Sequence, residues 1–456
     1  MELVAPAGNL EKLSYVYSYG ADSAYIGLKR FSLRIKADNF YDKEYEQIKL
    51  LKEKYPLKRL FCALNISFHN KDIDHFISEI DYFKQYPIDS FIVQDIGIVP
   101  IVQKYFPKAH LHLSTQANCI NREAVKVYRS MGFSRVVLGR EASLTDIREI
   151  KDACPEMELE VFAHGAMCIA YSGRCLISAY TTGRSANSGF CSHSCRWDYK
   201  LLEERERPGE YFPVFEGDDY TAILSSKDLC MIDHLDDMKK AGVDSLKIEG
   251  RMKSLYYAAL VTRAYRKAID SLEGKISVQE AKPFVDELYK TAHREFSTGF
   301  FYSREDADKT TAGETKSEYE MAGTIGDVLS PQEEQDILHR AKTTEQTFTR
   351  EMDSLHPSAR EAKEKDLLLH PEKKIHPVQQ RDGYKFYQYR ALNKISASTA
   401  LEFIGPDCTS VSDTSYVLVN PENGAIMDWV CHNHDCLIYT SSKVESSWIA
   451  RFKNTD

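Results

Sequence analysis

Long apolar runs are what this 456-residue chain most plainly lacks: no stretch approaches the roughly 20 apolar residues that cross a bilayer. Residues 1–6 carry no basic-then-apolar leader, so the cytosol is the expected compartment. Cations are outnumbered, with a net charge of -9, which argues against a nonspecific polyanion binder, because phosphate affinity comes from Lys and Arg displacing counterions. A local basic surface is still allowed, and Lys29, Arg30, Arg34 and Lys36 are either that or a solvated charged face. Hydrolase signatures are missing too. There is no His-Glu-x-x-His for zinc and no Gly-x-Ser-x-Gly elbow. No Gly-x-Gly-x-x-Gly turn follows the first apolar run, so a dinucleotide fold loses its usual support.

What is present is a chain 43% hydrophobic, enough for one large core and a second, smaller one. Short branched apolar runs alternate with amphipathic stretches, the pattern of parallel strands joined by helices. The strands are expected at 2–5, 23–27, 59–65, 90–95, 111–115, 135–140, 158–163 and 245–249. Between them, 9–19 and 121–131 read as helices stopped by Gly20 and Gly132. Eight strands in alternation predict an α/β fold, a TIM-like (β/α)8 barrel whose function sits at the C-terminal strand ends. Those ends are polar: Asn65, Gln94, Asp95, Ser114 to Gln116, Arg140, Glu141 and His164. On the last strand Lys247, Glu249 and Arg251 share one side by the period of two. They form either an internal ion-pair network or a site for a small anion.

Residues 165–244, before the last strand, are far too long for an ordinary βα connection, and such excursions are usually functional. Eleven cysteines in a reducing compartment are not a disulfide framework. Here they run Cys168-x6-Cys175-x15-Cys191-x3-Cys195, with Cys230 downstream. Zinc modules favour two close pairs, and Cys191 with Cys195 is one such pair. Iron–sulfur clusters accept thiolates at more scattered spacing, so a cluster is the better fit, with buried thiols as the alternative.

The block Glu160-x-Phe162-x-x-Gly165-Ala166-Met167-Cys168, continuing through Gly173, Cys175, Ile177 and Ser178, resembles the collagenase-like proteins filed as a peptidase family of unknown catalytic type. Leu3 to Gly8, Gly20 to Gly27, Val93 to Gly97, Ser114 to Asn118 and Leu246 to Lys253 extend the likeness over residues 1–302. Within that family the chain is most similar to the tRNA hydroxylation proteins, which install 5-hydroxyuridine at the wobble position; relatives act on ribosomal RNA cytidine or ubiquinone precursors. The resemblance implies tRNA as partner, a 4Fe-4S cluster and an oxygen-independent hydroxylation with prephenate as hydroxyl source. By position the ligands are Cys168, Cys175, one of Cys191 and Cys195, with Cys191 preferred, and Cys230. Prephenate is a dicarboxylate that Lys247 and Arg251, beside Glu249, would clamp. His164 is either an acid, base or hydrogen-bond donor at the cluster or a satisfied structural histidine. The rival is a peptidase acting on polypeptides through a cysteine nucleophile, which leaves the other thiols unexplained.

Residues 303–319 are polar enough for a linker, and 320–456 read as a small, RNA-binding antiparallel β domain curled into a barrel. Its strands are expected at 321–329, 384–395, 400–404, 416–419 and 436–439. The alternation from Tyr384 to Arg390 suits either base stacking or a half-buried core strand. Residues 331–383 depart from the family pattern and read as an inserted polar helix or a mobile lobe. Cys431-His432-Asn433-His434-Asp435-Cys436 is too short a hairpin to close a tetrahedral metal site unaided.

Overall fold

Seven parallel strands succeed one another in chain order: β1 (Glu2–Pro6), β2 (Ser23–Ile26), β3 (Arg59–Leu64), β4 (Ser90–Val93), β5 (His110–Leu113), β6 (Phe133–Val137) and β7 (Glu158–Ala166). The computed structural model describes the chain except residues 29–30, 34–37, 169, 197–214, 217–220, 223–225, 304–316, 370–375, 433 and 455–456. After β8 (Asp228–Cys230), β9 (Ser245–Ile248) closes the ring, pairing Ser245 with Glu160 of β7 and with Glu2 of β1. The result is the expected closed eight-stranded parallel barrel. Branched and aromatic residues make these runs strands because both faces are covered. On β1, Leu3 and Ala5 face the helices while Val4 turns inward to Tyr25, Phe61 and Ile92.

The helices begin where side chains satisfy their first N–H groups. Asn9 Oδ1 accepts from the Lys12 amide at 2.9 Å, and Asn121 Oδ1 from Ala124 at 2.9 Å, opening Leu10–Ser18 and Arg122–Ser130. The longest barrel helix, Leu255–Leu272, is capped by Ser254 and buried along most of its length. Among the described residues no helix is long and apolar enough to cross a membrane.

The excursion before β9 is tied back to the barrel. β8 runs antiparallel to the end of β7, Cys230 opposite His164, and β10 (Phe296–Ser297) pairs parallel with β8. The β7–β9 register shifts between Lys247 and Ile248, which face Phe162 and His164. Such a shift re-aims the side chains beyond it.

The chain divides into two compact units, Met1–Lys316 and Ser317–Asp456. The second holds a seven-stranded antiparallel sheet: β11 (Tyr319–Val328), β12 (Lys385–Ala391), β13 (Leu401–Gly405), β14 (Cys408–Asp413), β15 (Val417–Val419), β16 (Asp435–Thr440) and β17 (Ile449–Lys453). Their order is β14-β13-β17-β11-β12-β16-β15. The two outer strands are consecutive in sequence, so the sheet curls until its edges face. Among the described residues no ladder joins them, which corrects the expectation of a closed barrel. The Asp413 carboxylate spans the seam instead, accepting from Thr440 and from Ser442 Oγ at 2.8 Å. Within 331–383 lie the helices Pro331–Ser354 and Pro357–Leu369. The first lays Ile337 and Ala341 on Val419, Leu437 and Tyr439.

Candidate functional site: the barrel mouth

A cavity of about 380 Å³ opens at the C-terminal ends of the strands. Its wall takes Asn65 from the end of β3, Ser114 to Gln116 from β5, Arg140 and Glu141 from β6, and Lys247, Glu249 and Arg251 from β9. Gln94 and Asp95, expected there, are engaged elsewhere: Gln94 with Ser67 at 2.8 Å, Asp95 with the Phe68 and Gly97 amides.

Below the cavity the lumen is ionic. Glu160 is fully buried; Oε1 accepts from Lys247 Nζ at 2.7 Å, and Oε2 accepts from Arg135 Nη1 at 2.8 Å and Ser245 Oγ at 3.2 Å. Arg135 also reaches Glu158 at 2.8 Å and the carboxylate of Glu2. Burial pushes the Glu160 carboxyl up, but the charges of Lys247 and Arg135 outweigh it and bring the pKa down to about 2. Lys247 thus belongs to an internal ion pair and at the same time edges the cavity, its ammonium 4.5 Å from the Tyr25 ring centroid. Arg251 is buried and donates through Nη2 to Ser32 Oγ at 3.1 Å. Arg140 differs from both. Its guanidinium lies 4.1 Å from the Phe162 ring centroid, and its Nε is buried with no hydrogen-bond partner among the described residues. A guanidinium resting on a ring with its Nε unspent is suited to a carboxylate or phosphate.

Four thiols share this cavity: Cys168, exposed, and Cys175, Cys191 and Cys195, half-buried. The loop bearing the first two is anchored by Glu141, whose Oε1 accepts from the Ser172 amide at 2.6 Å and Oε2 from Asn118 Nδ2 at 3.1 Å. Gly173, at φ +73°, lies so close to the Gln116 carbonyl that a Cβ would stand 2.0 Å from its oxygen. Asn187 ties the following segment down, its Nδ2 donating to the Cys175 carbonyl at 3.4 Å and its own carbonyl accepting from the Ser67 amide at 3.1 Å. These anchors were not foreseen. Polar Arg140 and Glu141 at a strand end are a signal for the mouth, but nothing in their spacing names Ser172 as a partner.

Cys230 lies apart from the cavity wall. It sits on β8 with its sulfur 4.0 Å from the Tyr265 hydroxyl, and burial pushes its thiol up to about 11. His164 is also off the wall, a consequence of the register shift. Its ring packs among Tyr257, Tyr265 and Phe296, and burial holds the imidazole neutral with a pKa of about 3. Buried beside them, Asp228 receives Arg294 Nη2 at 2.5 Å.

The family resemblance implies a cluster. The donor set fits in kind, since soft thiolates in one accessible cavity are what iron–sulfur binding requires. Among the described residues no three His, Cys, Asp or Glu side chains stand close enough together to hold a metal ion as they are placed. Elsewhere, Cys431 Sγ lies 3.8 Å from His434 Nε2 without further ligands among the described residues. Phe386, Tyr387 and Tyr389 are buried and serve the core, which corrects the base-stacking alternative for these three rings; Tyr384 is half-buried, 5.1 Å from the Tyr439 ring. Lys29, Arg30, Arg34 and Lys36 lie outside the described residues.

The chain is 38% identical over 343 residues to tRNA hydroxylation protein P of Escherichia coli (strain K12), covering 66% of this chain and 74% of that protein. It is 39% identical over 329 residues to tRNA hydroxylation protein P1 of Bacillus subtilis (strain 168), covering 71% and 76%. A protein of Porphyromonas gingivalis (strain ATCC BAA-308 / W83) named collagenase is 30% identical over 317 residues, 66% of this chain and 72% of that one. Residues 8–311 match peptidase family U32, to which this chain belongs.

Proposed function

We propose that the protein modifies RNA, hydroxylating tRNA at the wobble uridine to 5-hydroxyuridine without molecular oxygen, in the cytosol. The observation that carries this reading is the gathering of four thiols and the cations Arg140, Lys247 and Arg251 around one barrel-mouth cavity. Similarity to tRNA hydroxylation proteins of two bacteria supports the choice of tRNA. A 4Fe-4S cluster would be held by Cys168, Cys175 and Cys191, with Cys230 or Cys195 as the fourth thiolate. When bound it would supply electron transfer or Lewis acidity that side chains lack. The chain's own part is to bind and orient. Arg140, resting on Phe162, takes one carboxylate of a dicarboxylate such as prephenate, Arg251 and Lys247 face the other, and Glu160 holds Lys247 in place.

Anaerobic purification with iron and sulfide analysis, beside nucleoside analysis of tRNA from cells lacking the gene, tests the reading. Expected are about four irons per chain and loss of 5-hydroxyuridine derivatives. Iron-free protein with unchanged nucleosides would sink it. Single Cys195→Ser and Cys230→Ser variants decide the fourth ligand, since the true ligand is the one whose loss lowers iron content. The collagenase relative keeps a peptidase reading in view, and gelatin cleavage by iron-free protein would favour it.

A further inference from the structure

Between Glu160 and Asp198 the chain holds no acidic residue and no lysine, but Arg174, Arg184 and Arg196, within a protein whose net charge is -9. The same segment concentrates exposed large side chains. Tyr171 is 59% exposed, Leu176 73%, Tyr180 93% and Phe190 47%. Most of the described aromatics are buried, and three exposed rings within one 20-residue stretch at the cavity are out of place as core. They are carried on a scaffold rather than a loose tail. Tyr180 sits on the helix Ile177–Thr182, whose Ser178 Oγ bonds the Arg184 carbonyl at 2.7 Å and Ser192 Oγ at 2.9 Å. Tyr171 adjoins Ser172 and Gly173, the residues pinned to Glu141 and Gln116. Arg174 is exposed, and Arg184 Nη2 is buried with no partner among the described residues.

We infer that this rim, Tyr171, Arg174, Tyr180, Arg184 and Phe190, is the surface that receives single-stranded RNA, stacking unpaired bases on its rings while its arginines meet phosphates. The inference rests on the tRNA reading and deepens it, for it assigns recognition of the loop to the cysteine-rich excursion rather than to the β domain. The charge argues for a polyanion over a polypeptide. A segment whose only charged side chains are arginines, on an acidic protein, draws nucleic acid to one place while the rest of the surface repels it. Exposed aromatics suit single strands, because any unstacked base offers a π face.

The test is binding of an anticodon stem-loop RNA to the full-length protein, read by fluorescence anisotropy across a salt series. Tyr171→Ala and Tyr180→Ala should each weaken binding roughly 5- to 100-fold, and Arg174→Glu should reduce the magnitude of the log–log salt slope by about one. Phe190→Ala serves as a second ring variant if one of the tyrosine variants misfolds, and far-UV circular dichroism checks each. Lys385→Glu and Arg390→Glu, exposed on β12, are the comparison pair. Wild-type affinity in the rim variants, with loss in the β12 pair, overturns the inference and leaves the tRNA reading standing. Rim-dependent binding with unchanged tRNA nucleosides upholds this surface and sinks the hydroxylation reading. Wild-type protein that ignores RNA but binds gelatin overturns both.

Discussion

At the N-terminal end of the barrel lumen, Glu160 is fully buried with both carboxylate oxygens bonded, whereas at the mouth Cys168 is exposed and Arg140 keeps an unspent donor. Both ends are built from the same strands: β6 supplies Arg135 below and leads to Arg140 above, and β9 supplies Ser245 below and leads to Arg251 above. The difference is in what the polar groups face. Below, each charge meets another across the lumen, and the network's job is to be complete. Above, the strands hand over to loops, and the polar groups face a space of about 380 Å³. Completeness predicts stability, and incompleteness predicts binding.

The largest effect should come from breaking the lower end. Glu160→Ala leaves Lys247 buried without its carboxylate and takes one of three from Arg135, and should cost about 3–5 kcal/mol, seen as a lower urea midpoint for the barrel. A wild-type midpoint would mean that the network contributes nothing. Next comes acid. The Glu160 pKa of about 2 lies below the ordinary 4.5, so its stabilising charge is complete above 4.5 and is lost as pH falls toward 2. His164, neutral down to about 3 in the fold but titrating near 6.5 when unfolded, adds a loss that begins earlier, as pH falls from 6.5 toward 3. Each contributes a slope of up to about 1.4 kcal/mol per pH unit. Urea midpoints followed from neutral pH downward should therefore fall first with the histidines and then more steeply; His164→Phe should shrink the earlier part, and buried His112, which burial also holds well below its ordinary value, should keep the rest.

At the upper end the expected sign reverses. Arg140→Ala should leave the urea midpoint nearly unchanged but raise KM for the proposed anionic co-substrate tenfold or more, given the roughly 1.5–3 kcal/mol of a hydrogen bond to a charged group. Arg140→Lys should recover part of it, because the ammonium keeps the charge and loses the planar fork. An unchanged KM would move the anion site elsewhere. The smallest effect belongs to Tyr180→Ala, expected within about 0.5 kcal/mol of wild-type stability because the side chain is almost wholly solvent-facing. A large destabilisation would show that the ring packs against something.

The barrel was legible because its strands are short branched runs separated by capped helices, and Asn9 and Asn121 mark two of those helix starts. The sequence also pointed to the mouth, since polar residues at strand ends are conspicuous after apolar runs. What escaped was pairing at a distance. Glu160 and Arg135 look like surface charges until the ring closes and turns them inward. Strict alternation would have put Glu160, Phe162 and His164 on one face, and a single register shift removed the last. In the second unit β17 was missed because Arg451, fully buried, interrupts its apolar pattern; it is satisfied by Glu402 at 2.7 Å and the Tyr319 ring at 4.1 Å. The edge strand β14, Cys-Thr-Ser-Val-Ser-Asp, has no apolar alternation to read.

The ring is sealed by its last strand, which pairs Glu2 with Ser245 and Glu160 with the same serine. During synthesis the ribosome therefore delivers seven strands and the whole thiol-bearing excursion before the partner of the first strand emerges. Until then both β1 and β7 present bare hydrogen-bonding edges, the condition under which nascent chains associate wrongly. On the proposed reading, iron meets the cysteines either on this unsealed intermediate or after it has shut, and pulse-labelled assembly on stalled chains ending before and after residue 248 would separate the two orders of events.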